Sequence, residues 1–158
     1  MKVTVDTAED MIHLEGLDMG VSDWITITQD MLDSFSNVTR DHQWIHTDIE
    51  RCHKESPMHT TIVHGYFQVS LLPFLLNQII EVNNLDRLIN YGIEKMIFKS
   101  MVPVNSRLRL RAKMKSVKDI GDACVSTITC KLEMAEDGEA VMEGSIKYIY
   151  YFKSKTNN

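Results

Sequence analysis

The chain changes its hydrophobic period once, and that change limits its fold more than any other feature. From Gly65 to about Glu81 it is at its most apolar, and Leu71, Leu72, Leu75, Leu76, Ile79 and Ile80 recur at helical spacing. A stripe this wide predicts a helix packed on most of its sides. Pro73 lies inside the stripe, so the helix either starts late or bends there. Beyond Asn83-Asn84 the period becomes two. Leu108, Leu110, Ala112 and Met114 alternate with Arg107, Arg109, Arg111 and Lys113, and Cys124, Ile128, Cys130, Leu132 and Met134 alternate with polar neighbours. Gly121-Asp122 and Asp137-Gly138 are turn signals between such runs. With Ile89–Phe98 and a last strand from Glu139 to about Phe152, the second half reads as a long antiparallel meander. One buried helix followed by long antiparallel strands gives an α+β fold with the sheet wrapped around the helix.

The first half is more mixed. Met11-Ile12 and Val21 to Ile25 read as short strands. Thr28 is placed to cap a helix whose Met31, Leu32 and Phe35 share a face, and Thr47 or Asp48 to cap a short helix over Ile49–Lys54. The 158 residues suit a single domain over 1–158, with residues 1–20 having the character of an N-terminal extension. Val69–Ile80, the longest apolar stretch, is too short and too interrupted to cross a bilayer. The N-terminus lacks an apolar h-region, and three cysteines without Cys-x-x-Cys spacing suit reduced thiols, so a cytoplasmic protein is expected. A net charge of −5 weighs against nucleic acid as the main partner and leaves room for a small anionic ligand held by a few local cations.

The chemistry concentrates between Val38 and Pro57. The stretch Asn37-Val38-Thr39-Arg40-Asp41-His42-Gln43-Trp44-Ile45-His46-Thr47-Asp48 is followed by Thr61-Ile62-Val63-His64-Gly65-Tyr66. These two segments resemble the hydratase motif of the MaoC-like family, Thr-Gly-Asp-x-x-x-x-His-x-Asp, with its apolar-apolar-His-Gly-aromatic start of a central helix. The wording Asp-His-Gln-Trp-Ile-His is similar to the branch that includes nodulation protein N. Asn90-Tyr91-Gly92 and the run from Phe98 through Val102-Pro103-Val104 to Leu108 extend the resemblance, which covers residues 20–150. It implies a hot-dog fold and an enoyl-CoA hydratase or dehydratase giving the (R)-3-hydroxyacyl product. In it Asp41 and His46 are catalytic and Gly65 stands at the oxyanion site; the motif neighbours His64 and Tyr66 are read as substrate contacts, His64 also as a brace for the loop, and Arg40 is read as binding a CoA phosphate or pairing with Asp41. The chain departs from the family pattern at Arg40 (usually Gly), at Gln43-Trp44 (often Asn-Pro) and at Pro73 (a serine in some hydratases).

The residue types fit that chemistry independently. Hydrating an α,β-unsaturated thioester requires that water lose a proton as it attacks Cβ, that Cα gain one, and that the enolate-like oxygen be stabilised. A carboxylate and an imidazole on one loop can hold one water between them, and a helix starting at Gly65 offers unpaired N–H groups to the oxygen. His42 and His46, with His53, His59 and His64 nearby, raise a zinc site; without a His-Glu-x-x-His pattern no metal is expected. Neither is a redox cofactor, the CoA thioester being substrate. Cys52 reads as ordinary burial, and the Arg107–Lys113 face as solvated, with one or two side chains available to CoA phosphates. A sheet around one helix leaves an open edge, so a homodimer is expected. The thioester carrier is either CoA or an acyl-carrier protein. A non-catalytic acyl-CoA-binding protein and a hot-dog thioesterase are the alternatives. No nucleic-acid or membrane partner is expected.

Overall fold

The computed structural model describes residues 2–136 and 138–153, so Asp137 of the expected Asp137-Gly138 turn lies outside the described residues. The chain opens with β1 (Val3–Val5), α1 (Ala8–His13), β2 (Asp18–Val21) and β3 (Ile25–Thr26). Helices α2 (Gln29–Thr39), α3 (Trp44–Thr47), α4 (Ile49–Glu55), α5 (Gly65–Ser70) and α6 (Leu72–Leu76) follow, then β4 (Ile80–Val82) and the long strands β5 (Leu85–Phe98), β6 (Arg107–Asp119), β7 (Ala123–Met134) and β8 (Ala140–Phe152).

The alternation in the long strands does what period two requires. Leu108, Leu110, Ala112 and Met114 of β6 are all fully buried, as are Ile128, Cys130 and Leu132 of β7. They close on Leu71, Leu72, Leu75, Leu76 and Ile79, so the sheet wraps the short helices in an α+β layout. Thr28 caps α2 by accepting the Met31 N–H, and Asp48 caps α4 by accepting the Arg51 N–H.

Four expectations are corrected. Strands β6, β7 and β8 form a meander, but β5 pairs with β8 instead of preceding β6 in the sheet, whose order is β2-β6-β7-β8-β5 with β3 also on β6. Residues 99–106 therefore cross over, and the loop pairs with the chain ahead of α5: Val63 N–H donates to Val102 O at 2.8 Å and Val104 N–H to Thr61 O at 2.9 Å. The single long helix is two short ones, because Pro73 has no N–H to give Val69 and its ring crowds that carbonyl; the chain restarts with Pro73 in the first turn of α6, where it is tolerated. After Leu76 it leaves the helix, and Ile80 enters β4. Met11-Ile12 belong to α1, not to a strand. Thr7 Oγ1 accepts the Asp10 N–H at 3.2 Å while Asp10 Oδ2 accepts the Thr7 N–H at 3.0 Å, a capping box legible as Thr7-x-x-Asp10. Residues 1–20 are not a loose appendage: β1 pairs with β4, β2 pairs with β6, and Val5, Met11 and Met19 are buried in the common core.

A bulge in β5 bends its far end, where Lys95 and Met96 face the single residue Gly144 and Lys95 adopts φ +47°. A Cβ at Gly144 would lie 2.8 Å from Met96 Cα and 3.0 Å from Lys95 O. Backbone cannot retreat as a side chain can, so Gly144→Ala is expected to lower the unfolding free energy by about 2 kcal/mol or more in chemical denaturation.

Candidate active site

Helix α2 ends at Arg40, whose φ of +66° is the left-handed C-cap conformation, with its N–H donating to Ser36 O at 2.8 Å. Glycine is the residue that takes this conformation freely, which is the physical content of the glycine usual at this position in the resembled family. Arg40 pays backbone strain for the same turn. Its side chain is exposed, and among the described residues it forms no ion pair with Asp41. The turn throws Asp41 clear of the helix, and Asp41 Oδ1 accepts the Gln43 N–H at 3.4 Å to start the next segment.

Helix α3 carries His46 inward, 6% exposed. Its Nδ1 lies 2.7 Å from Ile62 O. A carbonyl oxygen only accepts, so Nδ1 carries a proton, and in the neutral ring Nε2 is the acceptor. Three further bonds hold this seam: Ile62 N–H donates to Ile45 O at 2.9 Å, and Gln29 Nε2 donates to His46 O at 2.9 Å while its Oε1 accepts from Thr61 Oγ1 at 2.6 Å. Gln29 and Thr61 had no signal in the sequence beyond being polar, because their pairing spans 32 positions.

His64, expected to touch substrate, is instead 1% exposed. Its ring stacks on that of His46 at 3.7 Å between centroids, and its Nε2 lies 3.1 Å from Ser36 Oγ and 3.4 Å from Asp41 O. Burial, and secondarily the neighbouring His46, hold its pKa below the ordinary histidine value. Gly65 opens α5, and a Cβ there would meet the Phe98 ring at 3.0 Å, so Phe98 at the end of β5 roofs the helix start. Phe98 is a site neighbour that sequence reading placed only as strand. Tyr66 is largely exposed beside it.

The structure thus brings Asp41, His46 and His64 together at the amino end of α5, with ligand-type atoms within 4.8 Å of one another. Such a trio invites a metal ion, but an imidazole binds along its in-plane lone pair. Two rings lying face to face direct those lone pairs side by side, not at one point. His42, His53 and His59 are exposed and outside the trio. Cys52 is buried with its Sγ toward Trp44 O, and burial raises its pKa, against any nucleophilic role. Arg109 and Arg111 are both bonded to Glu133 at 2.8 Å, and Arg109 stacks on Trp24, so neither is free for a phosphate.

Against known proteins, the MaoC like domain model matches residues 14–135. The chain belongs to this family of MaoC-like dehydratases and hydratases, and is an enzyme of the hydro-lyase class. It is 39% identical over 150 residues to 3-hydroxyacyl-thioester dehydratase Z of Mycobacterium tuberculosis, a match covering 92% of this chain and 98% of the relative. It is 34% identical over 122 residues to Nodulation protein N of Rhizobium leguminosarum bv. viciae, covering 75% and 76%. The fold is that of R-hydratase PhaJ1 from Pseudomonas aeruginosa, with a TM-score of 0.70 at 16% identity over 87% of this chain and 84% of that one. Among the described residues, no helix is long and apolar enough to cross a membrane.

The lowered His64 pKa has a consequence for stability. The unfolded chain takes up this proton near pH 6.5 and the folded chain only at lower pH, so acidification favours unfolding. Melting temperature is expected to fall as pH drops below about 6.5, and His64→Gln is expected to make that fall shallower.

Proposed function

We propose that the chain adds water reversibly to a trans-2-enoyl thioester, giving the (R)-3-hydroxyacyl thioester. The observation that carries this reading is the 2.7 Å contact of His46 Nδ1 with Ile62 O. With Nδ1–H given to Ile62, Nε2 is the one ring atom able to accept from a water, and Asp41 supplies the second acceptor a short distance away. A water bonded to both presents a lone pair to Cβ. As the C–O bond forms, the π electrons move toward the thioester oxygen, one of the two bases takes the water's proton, and the pair returns a proton to Cα. Carboxylate and imidazole then share the proton-transfer work between them. The developing charge on oxygen meets the Gly65 end of α5, whose first N–H groups precede any intrahelical acceptor. The name of the mycobacterial relative supports both the thioester substrate and the dehydration direction. No metal or redox group enters this scheme.

An open groove of about 520 Å³ runs beside α5 and α6, lined by Val69, Leu72, Pro73, Tyr91, Ile93 and Ile146 among others. It is a fitting place for the acyl chain, and Pro73 falls on its wall. Tyr66, next to Gly65, and Arg40, next to Asp41, are both exposed, and they are assigned to the carrier end of the substrate, Arg40 to a CoA phosphate. The 14-residue edge strand β5 exposes Ile89, Tyr91, Ile93 and Ile97, and a second copy pairing along it would cover this apolar edge.

Three measurements test the reading. Asp41→Asn and His46→Ala are each expected to lower kcat for crotonyl-CoA hydration by about 10²-fold or more with the circular dichroism unchanged; full activity in both would refute the assignment. Arg40→Ala is expected to raise KM for crotonyl-CoA about three- to tenfold while leaving a phosphate-free N-acetylcysteamine thioester unaffected; equal KM values for CoA substrate would remove Arg40 from the site. Sedimentation equilibrium at micromolar concentration is expected to give twice 18.2 kDa, and a monomer would contradict pairing through β5.

A further inference from the structure

The hydration scheme uses one imidazole, yet two are buried together. We infer that Ser36 and His64 form a positioning relay in which the stacked rings hold opposite tautomers, His46 protonated on Nδ1 and His64 on Nε2. For His46 the acceptor-only carbonyl of Ile62 decides the matter. For His64 the same logic applies at Nε2, which faces the Asp41 carbonyl at 3.4 Å and the Ser36 hydroxyl at 3.1 Å. A proton on Nε2 serves both. A proton on Nδ1 would leave the Asp41 carbonyl facing a lone pair and would bury an N–H with no acceptor, since Nδ1 has no hydrogen-bond partner and no solvent contact. Orphaned buried N–H groups are the rarer and costlier defect.

The relay ties three elements to one ring. Ser36 belongs to the last turn of α2, and its own carbonyl accepts the Arg40 N–H that forms the left-handed cap. Its hydroxyl reaches the N-cap residue of α5. From there His64 bonds the Asp41 carbonyl and stacks on His46, while Phe35 meets the His64 ring edge-on at 5.1 Å between centroids. The Asp41 peptide is thereby held against rotation and the His46 ring against swinging, so that carboxylate and Nε2 keep their separation. His64 is a positioning residue, reached by no substrate. Its catalytic consequence rests on the hydration reading; its tautomer does not.

The test uses the full-length protein labelled with ¹⁵N-histidine. Long-range proton–nitrogen correlation at neutral pH is expected to show one buried ring protonated on Nδ1 and one on Nε2, with the Nε2–H ring lost in His64→Gln. Kinetically, His64→Phe keeps the stack and removes the donor. It is expected to lower kcat by about 30-fold with KM within about threefold, as a displaced catalytic pair does, while His64→Gln, which restores a donor, recovers to within about tenfold of wild type. Ser36→Ala, a one-atom deletion, is expected to lower kcat about fivefold and carries the kinetic arm if His64→Phe does not fold. An Nδ1–H tautomer at His64, wild-type kcat in Ser36→Ala and any folded His64→Phe, or a loss expressed in KM alone would overturn the relay. If the wild-type protein hydrates no enoyl thioester, the proposed function fails and the nitrogen spectra alone decide the relay.

Discussion

One hydrogen bond, from His46 Nδ1 to the carbonyl of Ile62, joins the two halves of the site. It fixes the tautomer that makes Nε2 an acceptor. It also fixes the distance between the loop carrying Asp41 and the segment leading into α5. The bond is possible because Ile62 sits in a seam bonded on both sides: Ile62 N–H to Ile45 O, Val63 N–H to Val102 O and Val104 N–H to Thr61 O. The crossover from β5 to β6 therefore has a structural purpose, bringing residues 102–104 under the chain that leads into the active helix. The core behind it is apolar, and the polar side chains turned inward at Ser36, His46, Thr61 and His64 are bonded to other side chains or to backbone carbonyls. His64 Nδ1 is the exception.

Much of this was legible in the sequence because it follows from local rules. Period two placed β6, β7 and β8, and the caps at Thr28 and Asp48 follow from side-chain chemistry within three residues. The Asp41/His46 pair and the His-Gly start at 64–65 were readable as motifs, and the structure brings those residues to one place. What failed was long-range or depended on competition between rules. Period could not say that β5 lies beside β8, since any antiparallel neighbour buries the same face. Pro73 reads as a late start or a bend, and α6 does begin beside it; the apolar stripe over 71–80 nevertheless carries the helix too far, since α6 ends at Leu76 and the chain is extended by Ile80. Met11-Ile12 read as strand from two apolar neighbours alone, whereas the Thr7-x-x-Asp10 box caps a helix there.

His64 shows the limit most clearly. Its place next to Gly65 suggested substrate contact or a brace for the loop, and nothing in the linear chain indicates that Ser36, 28 positions earlier, takes its ring nitrogen. Arg40 is the reverse case: it breaks the expected glycine pattern, yet its backbone performs the glycine's turn, and the departure leaves the geometry of Asp41 in place. The apolar edge of β5 likewise became visible only once the strand order was known.

The central claim is that Asp41 and His46 Nε2 share one oxygen while the Gly65 end of α5 receives the thioester oxygen. A crystal structure with a bound (R)-3-hydroxyacyl thioester tests it most directly. The 3-hydroxyl is expected within hydrogen-bond distance of both the Asp41 carboxylate and His46 Nε2, with the carbonyl oxygen at the Gly65 N–H. A ligand whose hydroxyl touches neither side chain, or whose carbonyl points away from α5, would contradict the account.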